Sequence, residues 1–165
     1  MGGEPAVRLP GDTTPGPADP RSRAALVRFL RRSRFWTVAS TGPEGAPQAA
    51  VVGVAVTDRL ELVFDTLTST RKSKNLRRDA RAALVMYSGA ATAQIEGVVD
   101  EPKDAELERV RADYLATFPD GAERITWPEI TWVRVRPLWL RINDFGGAAP
   151  TTLELDAAAL AALQA

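Results

Sequence analysis

The stretch Phe64–Leu76, FDTLTSTRKSKNL, decides how the rest of the chain is interpreted. It begins at the end of a predicted strand, Leu60–Phe64, and continues through a short polar turn. A helix then starts with Arg71 and Lys72. The first turn of a helix has backbone N–H groups without intrahelical acceptors, and the helix dipole places partial positive charge there.

Ser69 and Thr70 are candidates for the N-cap of this helix, because hydroxyl side chains accept hydrogen bonds from the free N–H groups. Arg71 and Lys72 add a guanidinium and an ammonium at the same place. This combination predicts a phosphate-binding site at the start of the helix. A capped surface helix with a solvated basic face is the alternative, and the stretch alone leaves both open.

The composition limits the possible functions. The chain has 165 residues, of which 45% are hydrophobic and 25% charged, which is typical of one globular domain with a full-sized core. Basic and acidic residues number 21 each, so no net field attracts nucleic acid or an anionic membrane. The sequence has no apolar run of transmembrane length and no signal-peptide pattern, so we expect a cytoplasmic protein without membrane contact.

The sequence contains neither histidine nor cysteine. This excludes Ser–His, Cys–His and thiolate catalysis, and it argues against a zinc site, so we expect no metal. Redox or group-transfer chemistry would then depend on a bound organic cofactor. No residue stands out as a catalytic acid or base.

The chain divides into three parts. Residues 1–18 are rich in proline and glycine and are predicted to be a flexible arm. Residues 19–146 form the main domain, which starts with a helix over Pro20–Arg32 capped by Asp19. Residues 147–165 form a tail with a short helix capped by Asp156. A further helix runs from Glu101-Pro102 to about Thr117.

Six strands are predicted from β-forming residues between turn signals. They are Phe35–Ser40, Gln48–Val56, Leu60–Phe64, Arg81–Tyr87, Thr92–Val99 and Thr131–Ile142. Short turns join most of them, so we expect a mainly β fold of the α+β class, a six-stranded antiparallel barrel with helices packed around it. Gln48–Val56 is nearly all apolar, which is typical of a strand covered on both faces. Its small residues would also let a flat ligand approach.

This order of elements resembles the pyridoxamine 5′-phosphate oxidase-like superfamily of FMN-binding split β-barrels. The resemblance covers roughly residues 24–145 and depends on four fragments: VFDT, the Arg71-Lys72 pair, KNLRRDARAAL, and IEG followed by an acidic helix. It implies a six-stranded split barrel, an FMN cofactor, and a homodimer with the cofactor in the groove between the subunits.

The resemblance also implies individual site residues. Arg71 and Lys72 would hold the cofactor phosphate, which agrees with the argument from the helix start, and Asp65 and Thr66 would lie beside the flavin. Val51, Val52 and Gly53 would belong to the strand that runs along the isoalloxazine ring. Thr92 would lie near the flavin, and Trp139 would reach the FMN of the partner subunit. Arg141 is a candidate for binding a substrate anion, with a structural salt bridge as the alternative.

The departures from the family pattern concern the substrate. Pyridoxamine phosphate oxidases carry Arg and Lys where this chain has Ala50 and Ala55, and an Arg-x-His where it has Arg141-Ile142-Asn143. We therefore expect a flavin-dependent oxidoreductase acting on a small molecule other than pyridoxamine phosphate. KNLRRDARAAL is also common among relatives that use the deazaflavin coenzyme, so the cofactor stays open between the two.

Two other classes of function are possible. The chain could carry flavin without turnover. Alternatively, RKSKNLRRDAR, with six basic residues in eleven positions, could bind nucleic acid. The lack of interleaved aromatic residues and the neutral net charge argue against that second interpretation.

Overall fold

The computed structural model describes residues 22–163, which form an antiparallel sheet of eight strands with helices outside it. The helices are α1 (Arg23–Leu30), α2 (Arg71–Arg78), α3 (Asp104–Thr117) and α4 (Ala157–Ala161), and Pro119–Thr126 forms 3-10 turns. The strands are β1 (Phe35–Thr41), β2 (Pro47–Gly53), β3 (Ala55–Val56), β4 (Leu62–Leu67), β5 (Arg81–Ser88), β6 (Ala91–Asp100), β7 (Ile130–Asp144) and β8 (Thr151–Leu155).

The sheet closes into a split barrel. Its strand order is β2-β1-β5-β6-β7-β4-β3, and β8 pairs with β7 outside this path. Because β2 continues into β3 through the single residue Val54, the two ends of the path are covalently joined. Among the described strands β2 hydrogen-bonds only to β1, and β3 only to β4, so the wall is open between β2 and the end of β4.

The core fills the barrel interior. Alternating residues of β5 and β6 point inward, including Leu84, Met86, Ala93 and Ile95. The buried apolar residues of helix α1 belong to the same core cluster. A second cluster lies on the other side of the β4–β7 ribbon, where α3 packs its buried residues against Trp132.

A network of ion pairs joins this second layer to the sheet. The guanidinium of Arg134 lies 3.1 Å from Glu61, 2.7 Å from Asp100 and 2.6 Å from Glu106. Hydrogen bonding to Arg134 lowers the pKa of Asp100. Hydrogen bonds from Arg109 and then Arg134 lower the pKa of Glu106 to about 2.

The predicted mainly β, split-barrel fold class is confirmed, but the count of six strands is wrong. The predicted strand Gln48–Val56 is divided at Val54, and β8 was not predicted. The described chain alone does not cover both faces of this segment, because it leaves 69% of Val51 exposed.

The helix boundaries agree with the sequence in type more than in position. Helix α1 starts at Arg23 with Ser22 as its N-cap, whereas the predicted cap Asp19 and the arm of residues 1–18 lie outside the described residues. Asp156 caps α4 as predicted, with its Oδ1 accepting from the N–H of Ala159 at 2.8 Å. Within residues 22–163 no helix combines the length and apolarity needed to cross a bilayer.

Candidate functional site

The start of α2 lies where β4 leaves the sheet. The hydroxyl of Thr70 accepts a hydrogen bond from the N–H of Ser73 at 3.2 Å and donates one to the carbonyl of Leu67 at 2.9 Å. Thr70 is therefore the N-cap, as one of the two candidates predicted. Ser69, the other candidate, is exposed and is not the cap.

Lys72 is a half-buried cation beside this cap. Its Nζ donates to Oγ1 of Thr66 at 2.8 Å, and the hydroxyls of Thr66 and Thr70 lie 3.1 Å apart. The same Nζ lies 5.5 Å from the centre of the Phe64 ring. Burial lowers the pKa of Lys72, and the negative charge of Asp65 opposes this effect in part. The ammonium is thus partly desolvated while its hydrogen-bond partner is a neutral hydroxyl.

Arg71 complements Lys72. Its guanidinium is exposed and forms no ion pair or hydrogen bond with any residue in the described part of the chain. Both cations and Thr70 line one groove of about 740 Å³. The remaining walls are formed by β1 and β2, through Val38, Ser40, Pro47, Gln48, Ala49 and Ala50.

The chemistry of this groove fits a phosphate ester attached to a flat ring. An anion at the helix start would accept hydrogen bonds from the free backbone amides. It would also be attracted by the unpaired guanidinium of Arg71 and the desolvated ammonium of Lys72. Ala49 and Ala50 are exposed, small and located on an edge strand, so a ring can lie close to the backbone there.

Asn75 fixes α2 against the opposite wall. Its buried side-chain amide donates to Oγ of Ser40 at 3.1 Å and to Oε1 of Gln48 at 2.9 Å. Ser40 and Gln48 were not identified as groove residues from the sequence. No local signal marks them, since their contacts with Asn75 join positions 35 and 27 residues apart.

Asp65 has its side chain on the other face of β4. Its carboxylate accepts from the Tyr114 hydroxyl at 2.8 Å and from Nε of Arg124 at 2.6 Å. Burial, followed by the hydrogen bond to Asp65, raises the pKa of Tyr114. The Asp65 side chain is thus engaged with α3 and the 3-10 segment, whereas Thr66 points to Lys72 and the groove.

The predicted ring-contacting residues continue β2 beyond the groove lining. Val51 is exposed, and Val52 packs partly against the core. Gly53 lies against Phe118, where an added Cβ would come within 2.8 Å of the ring atom Cζ. Glycine is therefore needed at this position for close packing.

The remaining predicted residues lie on the outer face of the sheet. Trp139 lines a second cavity of about 440 Å³, which shares Ser40 and Pro47 with the groove. Thr92 is half-exposed and lines neither cavity.

The structure pairs Arg141 with an acidic residue. Its NH2 lies 2.7 Å from the Glu154 carboxylate, which also accepts from Nε1 of Trp139 at 2.9 Å. The structural salt bridge considered for Arg141 is therefore present. Among residues 22–163 no group of three or more His, Cys, Asp or Glu side chains is placed to hold a metal ion.

Comparison with known proteins agrees with this geometry. The family model described as pyridoxamine 5′-phosphate oxidase matches residues 22–143. The pyridoxine/pyridoxamine 5′-phosphate oxidase of Burkholderia vietnamiensis is 30% identical over 107 residues, covering 64% of this chain and 48% of that protein. The oxidase of Rubrobacter xylanophilus is also 30% identical, over 62% of this chain and 46% of its own. The chain thus spans about half the length of these curated relatives.

Solved structures show the same fold. A heme-binding protein from Mycobacterium smegmatis superposes with a TM-score of 0.75 at 20% identity, covering 87% of this chain and 60% of its own. A pyridoxamine 5′-phosphate oxidase-related, FMN-binding protein from Nostoc punctiforme gives 0.64 at 15% identity, covering 81% and 90%. At these identities the likeness shows the fold alone.

Proposed function

Because the chain belongs to the pyridoxamine 5′-phosphate oxidase family, we propose that it binds FMN and acts as a flavin-dependent oxidoreductase on a small molecule other than pyridoxamine phosphate. The observation that carries the proposal is the pair of cations at the start of α2. Arg71 has no partner in the described chain, and Lys72 is desolvated beside a neutral hydroxyl. Both conditions favour a bound phosphate.

The protein's own residues would bind and orient the cofactor. Arg71, Lys72 and the capped helix start would hold the phosphate, while Ala49 and Ala50 would border the ring. FMN, when bound, supplies the redox chemistry. The FMN-binding relative from Nostoc punctiforme supports this choice of cofactor, and the deazaflavin coenzyme, which also carries a phosphate, is the alternative.

A substrate other than pyridoxamine phosphate is supported by the residues at the family's substrate positions. Ala55 is buried in the second cluster, so it offers neither charge nor access. Arg141 is held by Glu154, so an anionic substrate would have to compete with that carboxylate. Asn143 stands where the family places histidine.

We also propose a homodimer with the cofactor between its subunits. The outer sheet face, defined by Phe35, Val51, Val85 and Tyr87, is apolar and exposed in the single chain, with Phe35 exposed at 66%. Strand register puts Val51, Thr37 and Val85 in one row across β2, β1 and β5. The row continues through Gln94 to Arg141. A second copy covering this face would bring Thr92, Trp139 and Arg141 toward its partner's cofactor.

The basic helix supports a nucleic-acid function poorly. Arg77 pairs with Glu101 and Arg81 pairs with Asp79. Arg78 donates to the carbonyl of Thr41. Of the six basic residues in RKSKNLRRDAR, Arg71 and Lys74 have no polar partner in the described chain. Two such charges are too few for a surface that binds along a nucleic-acid backbone.

Cofactor titration tests the proposal. The purified protein, freed of any bound cofactor, is titrated separately with FMN and with the deazaflavin coenzyme while absorbance and fluorescence are followed. We expect saturable binding of FMN and a Kd at least about tenfold higher for Arg71→Ala, because a charge-assisted phosphate contact contributes about 1.5–3 kcal/mol. Lys74→Ala, an exposed change on the same helix, is the matched control.

Four results separate the alternatives. Tighter binding of the deazaflavin would reassign the cofactor, and no binding of either would reject the oxidoreductase proposal. Bound FMN that is reduced chemically and not reoxidised by any small acceptor would favour a carrier. A salt-dependent gel shift with nucleic acid would support the nucleic-acid-binding alternative.

A further inference from the structure

A third cavity lies on the opposite face of the β4–β7 ribbon from the cofactor groove. It lies between the start of α3, the 3-10 segment and the start of β7, has a volume of about 340 Å³, and is called the α3–β7 cavity below. This is the lower end of the range for small-molecule sites. Its walls are formed by Glu101, Pro102, Lys103, Leu107, Arg111, Ile125, Trp127, Ile130, Thr131 and Trp132.

Two buried hydrogen-bond donors on this wall have no acceptor. They are Nε of Arg111 and Nε1 of Trp132, and Ser73 Oγ is the third unpaired buried polar side-chain atom in the described chain. Trp132 is only 3% exposed. Buried donors are almost always paired, so two unpaired donors beside one cavity indicate a missing acceptor.

The two donors belong to a rigid pair. The Arg111 guanidinium lies over the Trp132 ring, 4.7 Å from its centre, and its NH1 donates to Glu108 at 3.1 Å. Arg111 is therefore held at its far end and against the indole face, while its Nε has no acceptor. Both residues line the cavity, so a ligand in it would contact the side chains that carry the two donors.

The charge of the cavity favours an anion. Lys103 is exposed at the rim and has no ion-pair partner among residues 22–163. The acidic lining residue, Glu101, accepts from Nε of Arg77 at 2.5 Å and from Thr131 at 3.0 Å. Its charge is thus compensated by Arg77, as that of Arg111 is by Glu108, and the exposed ammonium of Lys103 gives the described lining its remaining positive charge.

The remaining walls are apolar. Leu107, Ile125 and Ile130 pack around the second cluster, and Trp127, exposed at 50%, borders the opening. Such walls accommodate a ring or a branched hydrocarbon. We propose that the α3–β7 cavity is a binding site for a small aromatic carboxylate, which places its carboxylate on Arg111 and Trp132 and its ring against Leu107 and Ile125.

This site is separate from the cofactor groove. In the β4–β7 ladder Trp132 lies opposite Asp65 and Thr131 lies opposite Thr66. The Trp132 and Asp65 side chains face α3 and the 3-10 segment, whereas Thr66 faces Lys72. Binding at the cavity can therefore be measured whether or not the groove holds a cofactor.

Nuclear magnetic resonance gives a direct test, because the four tryptophans each contribute one indole N–H signal. The full chain is titrated with benzoate, with benzyl alcohol and benzylamine as uncharged and cationic comparisons. We expect a saturable downfield shift of the Trp132 indole signal with benzoate, and little change with the other two. The signals are assigned with conservative Trp→Phe variants.

Arg111→Lys keeps a positive charge but removes the Nε donor. We expect it to weaken benzoate binding by at least about tenfold. Arg59→Lys, on an exposed turn away from the cavity, should leave binding unchanged, and both variants are checked for unchanged thermal unfolding. A Trp132 signal that does not move, shifts without saturation, or responds equally in Arg111→Lys would overturn the proposal and leave only water on these donors.

Discussion

Replacement of Lys72 by methionine separates phosphate binding from folding. Methionine keeps a flexible side chain near the Phe64 ring but removes the ammonium. If the groove binds FMN, the lost contact is a charge-assisted hydrogen bond worth about 1.5–3 kcal/mol. Because each 1.4 kcal/mol is about a factor of ten in affinity, Kd should rise by roughly 10- to 150-fold.

The stability of the cofactor-free protein should respond differently. Lys72→Met removes one hydrogen bond to Thr66 Oγ1, worth about 0.5–1.5 kcal/mol. It also removes a cation whose pKa is lowered by burial, that is, a charge that already opposes folding. These effects have opposite signs, so we expect the free energy of unfolding to change by less than about 1 kcal/mol.

The assay pairs an FMN fluorescence titration with urea unfolding of the cofactor-free protein, both at one fixed salt concentration. Lys74→Met is the control, because Lys74 is exposed on the same helix without a polar contact in the described chain. If both variants weakened FMN equally, general electrostatic attraction would explain the effect. If Lys72→Met left Kd unchanged, Lys72 would have no phosphate-binding role.

Three further predictions follow from the fold. Val85→Glu places a carboxylate in the outer sheet face, so it should convert a dimer to monomers in sedimentation analysis. Tyr114→Phe removes the hydroxyl bonded to Asp65 and should lower the free energy of unfolding by about 1–2 kcal/mol in urea titrations. Acid should destabilise the chain: the lowered pKa values of Asp100 and Glu106 mean that the folded state binds fewer protons. For Glu106 this contribution to the unfolding free energy should be fully present above about pH 4.5 and should be lost as the pH falls toward about 2.

Each has a contrary outcome. If the dimer persisted in Val85→Glu but dissociated when a charge was introduced on another surface, the interface would lie on that other surface. Ala105→Glu, on the exposed side of α3, checks for nonspecific effects. Equal urea midpoints for Tyr114→Phe and wild type would mean that Arg124 alone satisfies Asp65. An acid unfolding curve unchanged by Glu106→Gln would remove the ion-pair network from the explanation.

The local features of the fold were predictable. Thr70 could be identified as an N-cap because capping depends on residues within one turn. The inward positions of β6 can also be identified locally, because Ala93, Ile95 and Gly97 alternate with polar residues. The run of strands joined by short turns predicted an antiparallel barrel, and the family resemblance specified a split barrel.

The errors have a common physical cause. Apolar residues in β2 predict burial on both faces, but composition does not tell whether the cover comes from the same sheet, a ligand or a second copy. Strand β8 was missed because it is only five residues long and is stabilised by its pairing with β7. Chain periodicity also carries no information about ion pairs such as Glu61 with Arg134, which are 73 positions apart.

The site was predictable only in part, because only some of its residues are neighbours in the sequence. Arg71, Lys72 and Thr70 are consecutive, so one helix start brings them together. Ser40 and Gln48 enter the groove only through tertiary packing against Asn75. The face on which Asp65 lies depends on Tyr114 and Arg124, which come from distant segments.

The open side of β2 has a practical consequence for handling the protein. An apolar segment with a free backbone edge is a template on which other chains can add as extra strands. A cofactor lying in the groove, or a second copy covering the outer sheet face, would shield this free edge of β2. If the protein binds FMN as proposed, protein produced without flavin should aggregate more readily than flavin-loaded protein, and adding riboflavin to the growth medium should improve the yield.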